Sequence, residues 1–331
     1  MHLRRLAALA ATALLAPLAL AACDSALASD PHDGRLQVLT SFYPLQFVAQ
    51  QVGGDLVDVQ NLTPPAADPH DLELSLARAR EIGLADVVVY LKGFQPAVDD
   101  AVAQRNPRNL VNVADHVTLL PASVTGGDQA SSHDHGAGGE YDAHDHGTTS
   151  GAETIGGNDP HFWLDPTLLA KVAEPVAQAL AQADPAHAAT YAANAQTLRD
   201  RLGQLDAEFA AALKPFAGAT LITNHTAFGY LARRYGLSQV GITGLDHDVE
   251  PSPARLREIA QIARDHHVST LFYETLVSPR VVETLASDHG LRSQVLDTLE
   301  GLTQQSVDAG DDYFSIMQSN LKTLTEGLVA P

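Results

Sequence analysis

From Arg35 onwards, short apolar runs alternate with segments whose apolar residues recur at helical spacing. Leu36–Thr40 reads as a strand, and Pro44–Val52 as a helix ended by Gly53-Gly54. A strand over Leu56–Leu62, a helix over Leu74–Leu84 and a β-branched strand over Asp86–Leu91 follow. A helix at Pro96–Gln104 and a strand at Asn109–Val113 complete four βα-type units. Alternation at this rhythm predicts a mostly parallel sheet flanked by helices.

The rhythm breaks between Asp115 and Asp159, a stretch rich in Gly, Ser and Thr that contains His133-Asp134-His135 and His144-Asp145-His146. It has too little apolar surface to offset its ordering entropy, so a mobile loop over 115–159 is expected. Asp165-Pro166 then opens an alanine-rich helical stretch over 166–213, kinked or divided at Pro175 and at Asp184-Pro185. A second alternating set follows. Its strands are Thr220–Asn224, Gln239–Thr243, Thr270–Tyr273 and Gln294–Leu296, and its helices are Ala227–Tyr235, Pro253–His266, Pro279–Asp288 and Tyr313–Leu328. The expected architecture is an α/β fold of two (βα)4 lobes, 35–165 and 214–331, joined by a long rigid linker helix. A ligand cleft belongs between them, at the C-terminal strand ends.

Composition narrows the chemistry. Lys plus Arg is 20 against 40 for Asp plus Glu in 331 residues, a formal charge of −20. That balance excludes a nucleic-acid binder, which needs a basic face. The single cysteine excludes an intrachain disulfide and every thiolate metal cluster. Fifteen histidines stand against four lysines. An acidic, histidine-rich, cysteine-poor chain points to transition-metal cations as partners.

The first 22 residues read as a secretion signal, with Arg4 and Arg5 before an Ala- and Leu-rich run. The run ends in Leu20-Ala21-Ala22-Cys23, which resembles a bacterial lipobox. Lipidation of Cys23 would anchor the chain to the outside of a bacterial membrane, with residues 23–34 as a flexible tether.

Three histidines and an aspartate stand at predicted strand ends. His70 lies in Asp68-Pro69-His70-Asp71, His161 in Asp159-Pro160-His161-Phe162-Trp163-Leu164-Asp165-Pro166, and His225 closes Leu221-Ile222-Thr223-Asn224-His225. Asp297 closes Val295-Leu296-Asp297. Three imidazoles and a carboxylate suit a tetrahedral Zn2+. A lone histidine at a strand end is more often a cap or a hydrogen-bonded residue, so spacing alone does not decide the matter.

The surrounding segments resemble the cluster A-I solute-binding lipoproteins of metal ABC transporters, the zinc-binding (ZnuA-like) branch among them. Besides the segments above, Asn224–Tyr230 with Arg234–Leu237, Glu250-Pro251-Ser252, Phe272-Tyr273-Glu274 and Asn320-Leu321 fit that family in order along nearly the whole chain. The resemblance implies metal ligands at His70, His161, His225 and Asp297, with water as the alternative fourth ligand. It also implies delivery of the ion to an ABC permease and its ATPase. Histidine at position 225, where manganese binders carry Glu, favours zinc within the family. Some zinc members carry an acidic residue before the first histidine and a disulfide in the second lobe. Here Pro69 and the lone cysteine depart from both patterns.

Asn224 and Glu274 are candidates to orient ligand histidines, or equally to serve as caps. His133, Asp134, His135, His144, Asp145 and His146 form two clusters able to hold an ion weakly, an auxiliary capture loop or simply a solvated one. His247 is a weaker candidate. His116, His187, His266, His267 and His289 are expected at the surface, and Phe162 and Trp163 are expected to wall the site. No enzymatic activity is expected. The chain has no His-Glu-x-x-His, and four protein ligands would close the shell a zinc hydrolase keeps open, although Glu274 could serve as its base. Three further functions fit the same residues: a manganese or iron binder of the same transporter class, a zinc chaperone and an adhesin. A monomer is expected.

Overall fold

The computed structural model describes residues 34–126, 154–245 and 250–331. The expected signal at 1–22, Cys23, the His-Asp-His clusters at 133–135 and 144–146, and His247 lie outside the described residues. Within Leu36–Pro331, one compact unit, the chain builds two four-stranded sheets.

The first half contributes β1 (Leu36–Thr40), α1 (Tyr43–Gly53), β2 (Val57–Asn61), α2 (Leu76–Ile82), β3 (Val87–Tyr90), α3 (Pro96–Arg105), β4 (Leu110–Asn112) and a short α4 (Ala122–Thr125). Two packed helices follow, α5 (Pro166–Ala183) and α6 (Ala188–Leu213). The second half contributes β5 (Thr220–Thr223), α7 (Gly229–Tyr235), β6 (Ser238–Gly241), α8 (Pro253–Asp265), β7 (Thr270–Tyr273), α9 (Arg280–His289) and β8 (Arg292–Val295). It closes with α10 (Gln304–Ala309) and α11 (Tyr313–Gly327). All strand pairs are parallel, in the orders β2-β1-β3-β4 and β6-β5-β7-β8.

Strand alternation explains how the two halves join. Val87 and Val89 of β3 face a core shared with α5 and α6, while Val88 and Tyr90 face α2 and α3 on the outer side. In the second sheet Leu221 and Phe272 point into that same shared core, whereas Ile222 and Leu271 point outward to α8 and α9. A parallel sheet covered on both faces must be apolar on both. Here one face of each sheet is sealed by its own helices and the other by a single core continuous through α5 and α6.

Three sequence expectations take definite form. Of the two breakers expected to kink or divide the stretch over 166–213, Asp184-Pro185 divides it: it ends α5, and a 3-10 turn at Pro185–His187 redirects the chain into α6. Pro175 stays inside α5. The loop expected over 115–159 is structured at both described ends, where α4 forms and Pro121 pairs antiparallel with Asn158. The Tyr230 hydroxyl stitches those ends together, accepting from the Leu120 N–H at 2.7 Å and donating to the Asp159 carbonyl at 2.8 Å. Finally, α10 has no residue buried enough to give it an apolar face, so periodicity could not announce it.

At Gly229, α7 packs tightly against α4. A Cβ there would stand 2.4 Å from the Thr125 Cβ and 2.5 Å from its carbonyl oxygen. Gly229→Ala is expected to destabilise the fold by about 1–3 kcal/mol through overpacking, read as a lower urea midpoint.

Candidate metal centre

In each sheet the strand order reverses between the first and third strands, β1 and β3 or β5 and β7, which opens a crevice at their C-terminal ends. His225 lies just past Thr223, the end of β5, and Glu274 directly follows β7. His70 stands in the connection from β2 to α2, where the Asp68 carboxylate accepts its backbone N–H at 2.8 Å. His161 immediately precedes the 3-10 turn Phe162–Leu164 that leads into α5. Glu300 lies in the connection from β8 to α10.

These elements bring three imidazoles onto one carboxylate oxygen. Glu300 Oε1 is 3.0 Å from His161 Nε2, 3.7 Å from His70 Nε2 and 3.8 Å from His225 Nε2. The His161 and His225 Nε2 atoms are 3.5 Å apart. The side chains of His161 and His225 are fully buried, that of Glu300 is 1 % exposed and that of His70 3 %. Three nitrogens and one oxygen with no sulfur, facing one point out of solvent, form a donor set for a borderline divalent ion.

Carboxylates also hold the far side of two rings. Asp159 Oδ1 contacts His161 Nδ1 at 2.7 Å and accepts the His161 backbone N–H at 2.9 Å. Glu274 contacts His225 Nδ1. A carboxylate on Nδ1 fixes the ring and turns Nε2 towards the ion, the usual arrangement behind a metal-bound histidine. Burial works against the His161 imidazolium, but the Asp159 and Glu300 carboxylates outweigh it and push the pKa up to about 10. Burial likewise disfavours the Glu300 carboxylate, yet its hydrogen bonds with His161 and His70 hold the pKa well below the ordinary range. The pocket therefore prefers a positive charge at its centre.

The structure brings together His70, His161 and His225, but it puts Glu300 where Asp297 was expected. Asp297 spends its oxygens elsewhere: Oδ1 accepts the Leu299 N–H at 2.7 Å and Oδ2 accepts the Thr275 hydroxyl at 2.9 Å. Asn320 clamps its backbone from both sides, accepting from the Asp297 N–H and donating to its carbonyl. The turn that Asp297 caps puts Leu299 at φ 58°, the left-handed region, and brings Glu300 inward. Asp297 shapes the loop and Glu300 faces the histidines. Strand-end reasoning missed Glu300, although an acid three residues past Asp297 was the available signal. Asp159 was also missed, although it lies two residues before a candidate ligand.

Glu274 stands where an orienting residue was expected. Asn224 instead acts through its backbone, its N–H donating to the Phe272 carbonyl and its carbonyl accepting from Thr243. The Trp163 ring lies 5.2 Å from the His161 ring, and Phe94 meets His70 edge-on at 4.7 Å. Phe162 packs behind Trp163 at 5.8 Å. His116, His187, His266, His267 and His289 are exposed.

Residues 38–327 match the model of the ZnuA family, described as zinc-uptake complex component A, periplasmic. The chain belongs to this family. It is 33 % identical over 319 residues to the high-affinity zinc uptake system protein ZnuA of Bacillus subtilis, covering 94 % of each chain. It is 32 % identical over 318 residues to the zinc-binding lipoprotein AdcA of Streptococcus pneumoniae, covering 95 % of this chain but only 59 % of that longer protein. Among solved structures, the Zn(II)-bound ZnuA-like domain of S. pneumoniae AdcA superposes with a TM-score of 0.70 at 29 % identity, over 89 % of this chain and 99 % of that one. The two (βα)4 lobes described above are the fold of this ZnuA family.

Burial pushes the Asp297 carboxyl up from 3.8 to about 6, helped by Glu274 and Glu300 and opposed by its hydrogen bonds with Leu299 and Thr275. A carboxyl whose folded pKa is raised contributes most stability below its unfolded value and loses it as pH rises from about 4 to about 6. Asp297→Asn, which can still accept from Leu299, should remove that loss. The metal-free variant is expected to gain on the order of 1–3 kcal/mol over the parent above pH 6, with little difference at pH 4, in urea titrations across that range.

Proposed function

We propose that this chain captures Zn2+ outside the cytoplasmic membrane and delivers it to an ABC-type permease driven by its ATPase; its relatives' names, a high-affinity zinc uptake system protein and a zinc-binding lipoprotein, support the zinc and uptake parts of this reading. The observation that carries this reading is the convergence of three Nε2 atoms on Glu300 Oε1 in a buried pocket. The ligands are His70, His161, His225 and Glu300, with Asp159 and Glu274 orienting His161 and His225. Four protein donors close the shell, so the ion is cargo and the chain is not an enzyme. The nitrogen-rich donor set favours zinc over manganese, which takes more oxygen, and four protein donors leave none of the open positions that non-haem iron sites keep.

Residues 1–22 act as a lipoprotein signal, Cys23 carries the lipid anchor and 23–34 form a tether, so that a monomer works at the outer face of a bacterial membrane. The lobes run over 35–165 and 214–331, joined by the helical segment 166–213. No helix among the described residues is long and apolar enough to cross a membrane, and anchoring through Cys23 needs none. His133, Asp134, His135, His144, Asp145 and His146 gather the ion at low concentration for the buried site.

Metal analysis of protein purified without chelator should find one Zn2+ per chain. His225→Ala and Glu300→Ala should each weaken Zn2+ binding by more than about a hundredfold, since even outer partners of ligands are worth 10–100-fold. Asp297→Ala should keep the stoichiometry. Manganese as the bound ion, or tight zinc binding retained in His225→Ala, would overturn the reading. Growth on limiting zinc with and without the gene tests transport itself.

Deleting Gly126–Gly151 should leave one tight Zn2+ site by calorimetry while slowing capture from dilute metal. Loss of the tight site on this deletion would place a ligand in that segment.

A further inference from the structure

Trp163 is the only tryptophan in the chain and is fully buried. Its indole N–H donates to the Thr298 carbonyl at 2.7 Å, two residues before Glu300. Its ring lies 5.2 Å from His161 and 5.8 Å from Phe94, the ring that packs on His70. One side chain thus packs beside the surroundings of two histidines and grips the loop that carries the carboxylate.

Other contacts hold the same loop: the Asn320 side chain grips both backbone groups of Asp297, and the Thr275 hydroxyl donates to its carboxylate. The Asp297 carboxylate caps the turn at Leu299. Beyond Glu300, the Ala66 N–H donates to the Leu302 carbonyl at 2.8 Å, and Gly301 passes so near the Ala67 carbonyl that a Cβ would stand 3.3 Å away. Of the side-chain hydrogen bonds described that reach this loop's backbone from outside it, the indole N–H is the one nearest Glu300.

We infer that Trp163 is a specificity-determining positioning residue: by gripping the Thr298 carbonyl it keeps Glu300 Oε1 facing the three Nε2 atoms, which favours ions satisfied by four donors over ions that need more. The inference rests on the metal-centre reading above and names what sets its selectivity. Zn2+ is content with four nitrogen and oxygen ligands, whereas Mn2+ prefers octahedral, oxygen-rich surroundings. A carboxylate on a tethered loop is held to one pose. On a loosened loop it can turn to offer both oxygens and admit water, which relaxes the preference.

The test uses the full chain stripped of metal. Trp163→Phe keeps an aromatic ring and deletes the N–H. Competition titrations with Zn2+ and Mn2+ should show the ratio of affinities falling by about tenfold or more, the usual range for an outer partner of a ligand. With Co2+ as a spectroscopic probe, the variant should lose the intense visible absorption of a four-coordinate ion. Tyr313→Phe is the control, because it removes a hydrogen bond to the Trp163 carbonyl and leaves the indole N–H in place; its ratio and Co2+ spectrum should match the parent. An unchanged ratio and spectrum in folded Trp163→Phe overturns the inference, and so does an equal shift in Tyr313→Phe, which would mark a general packing effect.

A measurement on the parent protein covers the case in which Trp163→Phe does not fold. The single indole N–H resonance should exchange slowly with solvent in the metal-free protein, and fast exchange would overturn the inference. Failure of the parent to bind Zn2+ or Co2+ would instead sink the metal-centre reading, so the two failures are distinct.

Discussion

The candidate site turns on one buried carboxylate set among three imidazoles. Glu300 sits among His70, His161 and His225 with almost no solvent to stabilise its charge, and an isolated buried carboxylate is far too costly to persist. Two further carboxylates, Asp159 and Glu274, stand behind the rings of His161 and His225. Protons can balance this charge in the empty protein, and a divalent ion balances it better. An ion entering such a site would displace protons from its ligands, so metal binding there would be linked to proton release.

Holding such a cluster requires a scaffold that does not relax around it. The shared core provides this, because each sheet presents one face to a continuous apolar interior running through α5 and α6. The clustered side chains come from connecting segments, where side-chain direction is set by local turns. The Asx-type turns at Asp68, Asp159 and Asp297 each accept a backbone N–H two residues on. In the first two cases that residue is a histidine of the buried cluster, and in the third it is the residue before Glu300.

How much could be read beforehand depended on the range of the interaction. The strand and helix alternation is local and periodic, so both sheets were legible, and the three histidines stood out by the motifs around them. The division at Asp184-Pro185 was legible as a breaker. The choice between Asp297 and Glu300 was not, because it hangs on Leu299 adopting a left-handed φ and on Asn320 and Thr275, distant in sequence, occupying Asp297. Nor could the pattern reveal that the Trp163 indole reaches Thr298, a contact between residues 135 positions apart. Position 163 looked like wall, and its hydrogen bond emerges only when the two halves are folded together.

The paired stems at Pro121 and Asn158 have an evolutionary consequence. The Ala122 N–H donates to the Gly157 carbonyl at 3.0 Å, and the Asp159 N–H to the Leu120 carbonyl at 2.9 Å. The chain thus departs and returns through a closed neck just ahead of His161. Closing a longer excursion through such a neck costs little extra, since loop entropy grows only with the logarithm of length. Insertions and deletions beyond the neck can accumulate in descendants of this chain without disturbing the register of the ligands.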